Sequence, residues 1–177
     1  KKGIDVAHIR VLDDVLTAQA FITTDLDDNQ ITAFHPGAMN FAERNKVSQA
    51  KGVKIGMVSP DGRTGMIEHA AQFAKAEIPF VFDPGQGLPM FDGKDLRAFV
   101  EQSTWVTVND YEWQLLKDRT GWDVADVTKR AKALIVTRGA EGSRIYTADE
   151  EFEIPTAKPA AVEDPTGCGD AYRAGLL

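Results

Sequence analysis

Asp164-Pro165-Thr166-Gly167-Cys168-Gly169-Asp170-Ala171-Tyr172-Arg173-Ala174-Gly175 sets two glycines around one small residue, follows them with an acid, and continues into a helix-competent run. Gly167 and Gly169 open backbone angles closed to other residues and leave no Cβ in the way. Successive amide N–H groups in such a turn converge into an anion cradle, and the following helix points its positive end at the same spot. Asp170 then stands where a bound phosphate would be. A carboxylate is unfavourable there unless it has a chemical task. The task that fits is to take a proton from a hydroxyl attacking the phosphate. A plainer reading competes, in which a glycine-rich turn begins an ordinary helix and the helix dipole favours the acid.

Two other glycine motifs fail on spacing. Gly167-x-Gly169 lacks the third glycine of a dinucleotide fingerprint, having Tyr172 in its place. The Gly87 to Gly93-Lys94 segment has the wrong spacing for a P-loop, and Asp95 replaces the required Ser or Thr.

Working outward, 177 residues predict one domain with at most a small appendage. The chain is 43% hydrophobic, enough for a real core, and its formal net charge is −7. That charge argues against nonspecific binding to nucleic acid or to an anionic membrane, and an anionic substrate needs local Lys or Arg against it. Cys168 is the one cysteine, so no internal disulfide is possible and a reducing cytoplasm fits. No apolar run is long enough to span a membrane.

Residues 8–35 read as strands without a helix. Thr17 to Thr24 and Gln30 to His35 make a hairpin about the polar turn Asp27-Asp28-Asn29, and Ile9, Val11 and Leu12 supply a third, shorter strand. His35-Pro36-Gly37 closes the unit. From about residue 40, strands and helices alternate. Strands are expected at Val53 to Val58, Pro79 to Phe82, Trp105 to Val108 and Leu134 to Thr137, followed by a hairpin of Ser143 to Thr147 and Glu151 to Ile154. Asp61 is expected to cap a helix whose Met66, Ala70, Phe73 and Ala74 form an apolar face. Further helices are expected around Leu96, Phe99 and Val100, from Asn109, and over Val124 to Lys132. Such alternation predicts an α/β fold with a mostly parallel sheet covered on both faces.

In open α/β sheets ligands bind beyond the carboxyl ends of the strands. Asn109 to Glu112, directly after one strand, is also a capping-box pattern, and spacing alone favours that structural role. Thr137-Arg138-Gly139-Ala140-Glu141-Gly142 follows another strand and reads equally as a tight turn. Asp83-Pro84-Gly85-Gln86 reads as a simple strand-end turn with no catalytic role. His8, His35 and His69 have no partners at ligand spacing and read as structural or surface residues.

The Asp164 to Gly175 run resembles the C-terminal signature of the ribokinase-like, PfkB-type kinases, with Pro165, Cys168 and Tyr172 as modest departures. The resemblance implies the ribokinase-like three-layer fold with a small β-sheet lid, residues 1–39 forming the lid and 40–177 an α/β core incomplete at both ends. It implies that Asp170 is the catalytic base, and that the amides of Gly167, Cys168 and Gly169 form the anion hole for the transferred phosphoryl group. It implies ATP and Mg²⁺ as cofactors. Asn109 and Glu112 then match the family's Asn-x-x-Glu motif, with Glu112 acting on Mg²⁺ through water. Thr137, Gly139 and Gly142 match a loop lying along the nucleotide phosphates and ribose, where Arg138 adds a charge that meets an anionic donor or faces solvent.

The lid strands, and Asn109 to Trp113, are similar to the adenosine-kinase-like branch. There Phe34 corresponds to an aromatic stacking on a nucleobase, and Ala20 stands where some members have a second aromatic. Lid packing or a homodimer contact through the lid is the alternative for Phe34. The resemblance therefore implies an ATP-dependent kinase acting on the 5′-hydroxyl of a nucleoside such as adenosine. A sugar kinase acting on ribose or fructose, and a nucleotide-binding protein without turnover, are the alternatives. The family's N-terminal strand with its sugar-gripping acid, and the C-terminal portion that completes the adenine pocket, are not matched. The chain is therefore expected to be a piece of a larger protein, prone to aggregate and inactive alone.

Overall fold

The computed structural model describes residues 3, 5–25, 30–161 and 167–177. The polar turn at 27–29 and residues Asp164, Pro165 and Thr166 of the signature lie outside that set.

Two sheets form. Strands β1 (Gln19–Thr24) and β2 (Gln30–His35) pair antiparallel as a separate two-stranded sheet, with Ala20 opposite Phe34 and Ile22 opposite Thr32. The main sheet has six strands in sequence order: β3 (Gly56–Val58), β4 (Phe80–Phe82), β5 (Trp105–Asn109), β6 (Ala133–Thr137), β7 (Ser143–Tyr146) and β8 (Glu151–Ile154). Pairing is parallel from β3 to β6, then antiparallel through β7 and β8. The parallel strands are linked by helices α1 (Arg63–Lys75), α2 (Gly93–Gln102), α3 (Asp110–Thr120) and α4 (Val124–Thr128), and α5 (Cys168–Leu176) comes last.

Strand alternation divides the main sheet into two faces. Phe80, Phe82, Val106, Val108, Leu134 and Val136 point to one face and are buried against Met66 and Ala70 of α1, Leu96, Phe99 and Val100 of α2, Leu116 of α3 and Val127 of α4. Phe99 stacks on Phe82 at 4.4 Å between ring centroids and takes Phe91 edge-on at 4.9 Å. Val81, Trp105, Ala133 and Ile135 point the other way, toward Leu176 and Leu177 at the end of α5. Helices therefore flank both faces, with α5 on the side opposite α1 to α4.

Three local expectations are corrected. Residues 9–12 form no strand: Ile9 donates to the Val6 carbonyl in a turn, and Ile9 and Val11 are exposed without a strand to pair with. Asp61 does not cap α1; its carboxylate takes the N–H of Gly62, which itself occupies the cap position. Helix α4 stops at Thr128, short of Lys132. The Thr128 hydroxyl folds back onto Val124, and the Lys132 N–H donates to the Thr104 carbonyl at 2.8 Å, which draws the chain into β6.

Phe99→Ala removes the ring that two other aromatics pack on. It is expected to lower the unfolding free energy by about 3–5 kcal/mol, measured by urea denaturation. A loss below about 1 kcal/mol would show that this cluster is not the centre of the core.

Candidate active site

Parallel pairing places the carboxyl ends of β3, β4, β5 and β6 along one edge. The residues at or just past those ends, Pro60, Asp83, Asn109 and Thr137, line a single cleft of about 290 Å³ together with Gly85, Gln86, Glu112, Gly169, Asp170 and Arg173. Four strands and α5 thus converge on one edge, as expected for ligand sites in open α/β sheets.

Helix α5 begins at Gly167, whose φ of 80° lies in the left-handed region that glycine adopts without a Cβ penalty. The first bond back into the helix is from the Ala171 N–H to the Gly167 carbonyl at 2.9 Å. The N–H groups of Cys168, Gly169 and Asp170 precede that bond and have no partner within the helix. Asp170 is exposed on the first turn, in the cleft.

Asn109 and Glu112 lock each other. The Asn109 side chain accepts the Glu112 N–H at 2.7 Å, while the Glu112 carboxylate accepts the Asn109 N–H at 2.8 Å and its Nδ2 at 3.0 Å. The capping box is therefore formed, and the same carboxylate lies in the cleft. Burial pushes the Glu112 carboxyl above its ordinary value, the Asn109 N–H pulls it back, and nearby Asp83 pushes it up again.

Asp83 is the residue that sequence reasoning passed over. It is 3% exposed, and its carboxylate accepts two bonds from the guanidinium of Arg173, one from Nη2 at 2.8 Å and one from Nε. Burial raises the Asp83 carboxyl, with Arg173 holding it down. The partners stand 90 positions apart in sequence. The available signal was the arginine inside the signature, which needs an acid wherever it is buried.

A second cavity, about 270 Å³, lies on the other side of the start of α5. It is lined by Thr137, Gly139, Gly142, Ser143, Cys168, Gly169 and Tyr172, with the 154–157 segment closing it. Tyr172 and Ser143 share a hydrogen bond of 2.8 Å between their hydroxyls, joining α5 to β7. Thr137 and Gly169 line both cavities.

Three candidates line neither cavity. Arg138 turns toward Glu141 at 3.2 Å and Glu153 at 3.0 Å, because β8 brings an acid beside it. Phe34 is exposed on β2. Gly167 acts through the backbone turn alone.

Among the described residues, no group of three or more His, Cys, Asp or Glu is arranged to hold a metal directly. The carboxylates of Glu112 and Asp170 in the cleft suit a hard ion that keeps most of its waters and is carried on phosphates, Asp83 being taken up by Arg173. The donor set fits Mg²⁺ in that form. No helix among the described residues is long and apolar enough to cross a membrane.

Residues 1–177 match the pfkB family of carbohydrate kinases, and the chain belongs to that family. It is 51% identical to the nucleoside kinase of Burkholderia thailandensis in complex with inosine, with a TM-score of 0.94, covering 98% of this chain and 57% of that one. It is 35% identical over 176 residues to the nucleoside kinase of Methanocaldococcus jannaschii, covering 98% of this chain and 57% of that protein. The structure of the Methanocaldococcus protein superposes with a TM-score of 0.86 at 34% identity, over 93% of this chain and 54% of that one. The fold is accordingly ribokinase-like. The chain spans little more than half the length of these relatives.

Glu112→Gln keeps one acceptor for the Asn109 N–H and loses the bond to Nδ2. It is expected to cost about 1 kcal/mol of stability and to raise the Mg²⁺ concentration giving half-maximal ATP-dependent turnover. A stability change with the Mg²⁺ dependence unmoved leaves Glu112 as a helix cap only. Because the folded chain holds the Glu112 proton more tightly than the unfolded chain, this group's stabilisation is fully present below its ordinary value of 4.5 and is lost as pH rises above it. The Gln variant is therefore expected to lose less stability than the parent between pH 4.5 and neutrality.

Proposed function

We propose that the protein carrying this chain is an ATP-dependent kinase that phosphorylates the 5′-hydroxyl of a nucleoside such as adenosine. The observation that carries the reading is Asp170, a carboxylate on the first turn of a helix whose first N–H groups have no partner within the helix, in a cleft at the carboxyl ends of four parallel strands. Such a helix start favours an anion, and the acid beside it suits proton removal from an attacking hydroxyl.

In this reading ATP lies along the Gly139 to Gly142 turn and the second cavity, with its terminal phosphate over the amides of Gly167, Cys168 and Gly169. Asp170 takes the proton of the acceptor hydroxyl as that oxygen attacks the γ-phosphorus, the bond from that phosphorus to the bridging β-phosphate oxygen breaks, and ADP leaves. Mg²⁺ bound with the nucleotide would offset phosphate charge, and Glu112 is the residue that would hold its water shell. Asn109 holds the Glu112 carboxylate for that task. Thr137 and Gly169, common to both cavities, stand at the boundary where donor and acceptor meet. Arg138 makes no direct contact with the nucleotide in this reading, since its guanidinium is already engaged by two acids that offset its charge.

The two-stranded sheet within residues 1–39 serves as a lid over the acceptor. By register, Phe34 and Ile22 share one face, and Phe21 and Ile31 the other. One apolar face is suited to a nucleobase and the other to a second copy of the chain, which makes a homodimer through the lid part of the reading. A purine acceptor is favoured by the inosine complex of the Burkholderia relative. A sugar kinase is the second reading, favoured by Ala20 opposite Phe34, which denies a nucleobase a second aromatic wall. The net charge of −7 and the solitary cysteine suit a cytoplasmic enzyme that binds neither nucleic acid nor membranes.

ADP release in the presence of adenosine, of ribose, and of neither distinguishes nucleoside kinase, sugar kinase and a binder without turnover. Asp170→Asn is expected to lower turnover by roughly 10²–10⁴-fold while leaving ATP affinity nearly unchanged. Near-normal turnover in that variant would remove the proposed base. Phe34→Ala is expected to weaken adenosine binding by about 1–3 kcal/mol and leave ribose binding almost untouched. Equal losses on both acceptors would mean a general lid defect.

A further inference from the structure

Helix α5 carries the proposed base, and two polar ties join it to the sheet: Tyr172 to Ser143 on β7, and Arg173 to Asp83 at the end of β4.

The second tie is the stronger and the more directed. Its members are far apart in sequence, both are shielded from water, and the guanidinium meets the carboxylate through two nitrogens, a geometry lysine cannot reproduce. Holding a helix by a shielded ion pair is an inefficient route to stability, because desolvation offsets much of the attraction. What such a pair does provide is direction. Arg173 lies three residues after Asp170, on the same side of the helix, and both line the cleft. The remaining guanidinium nitrogen, Nη1, lies beside Gly169: a Cβ built there would stand 2.8 Å from it. The arginine thus occupies the space that a side chain at 169 would fill, against the turn bearing the free amides. Burial works against its charge, and Asp83, Glu112 and Asp170 together favour it, Asp83 most.

The geometry points to Arg173, gripped by Asp83, as a positioning residue for phosphoryl transfer, clamping the first turns of α5 so that Asp170 and the helix-start amides stand in register with the strand ends. This rests on the kinase reading given above.

The test measures steady-state turnover and amide hydrogen exchange on the full-length enzyme, with ATP, Mg²⁺ and adenosine. Misplacement of about 1 Å is enough to cost roughly 10²-fold in rate, so Arg173→Met and Asp83→Asn are each expected to lower kcat by about 10–100-fold. KM for ATP and for adenosine is expected to change by less than about threefold, since the loss falls on the transition state. Exchange protection in residues 168–177 is expected to drop in both variants. Arg173→Lys, which keeps the charge without the fork, is expected to fall between wild type and Arg173→Met, and it serves as the readable variant where the methionine form does not fold. The double variant is expected to be no slower than the worse single, because both remove one clamp.

A kcat for Arg173→Met within about twofold of wild type, or for Arg173→Lys equal to wild type, overturns the inference, as do losses that multiply in the double variant. So does a rise in KM for ATP with kcat unchanged, which would make Arg173 a ground-state phosphate ligand. Asp170→Asn run in parallel separates this from the reading it rests on. Normal turnover there removes the base assignment, whereas loss of turnover there beside an unaffected Arg173→Met removes the clamp alone.

Discussion

Four strands running in one direction have all their carboxyl ends on the same edge, and that constraint organises this molecule. β3, β4, β5 and β6 each leave the sheet through a short polar or glycine-containing turn, so Pro60, Asp83, Asn109 and Thr137 arrive as a row without any loop having to reach for the others. The apolar side chains that make the row rigid alternate strictly between the two faces. One face is filled by α1 to α4. The other meets α5, whose first turn is brought over the row and completes the cleft. Precision at the site is inherited from backbone pairing, which is harder to disturb than any loop.

That origin explains what was legible in the sequence. The strands of the main sheet could be read to within a few residues because β3 to β6 are short apolar runs between turn residues and the β7–β8 pair mixes polar with apolar residues, β8 in strict alternation. Asn109 announced α3 because its cap chemistry is local. The signature around Asp170 was legible for the same reason: two glycines and an acid act within four residues of chain. The misses have a common cause. Ile9 to Leu12 looked like a strand because β-propensity measures fit to a pleated neighbour, and none of the described strands lies beside it. The early end of α4 depends on the Thr104 carbonyl, 28 positions before the residue that donates to it. Asp83 looked like punctuation because nothing near it in sequence shows that Arg173 will arrive. Short-range chemistry can be read directly, but long-range pairing between single polar residues cannot.

Asn109 and Glu112 show how the two levels merge. The capping reading and the site reading of this motif were posed as rivals, yet both geometries hold at once: the box closes, and the carboxylate that closes it lies in the cleft. A helix start needs an acceptor for its free backbone N–H groups, and here that acceptor stands at the cleft edge because the strand delivers the helix start there.

Thr137 and Gly169 form the partition between the two cavities, and they are among the smallest groups available for the purpose. A wall this thin belongs to neither chamber. Any change in its bulk alters the size of both compartments together, so occupancy of one would be felt in the other through shared volume, without any element moving. Ligand coupling measured in this protein would then report a common boundary rather than a conformational signal, and its strength would follow the side-chain volume at two positions.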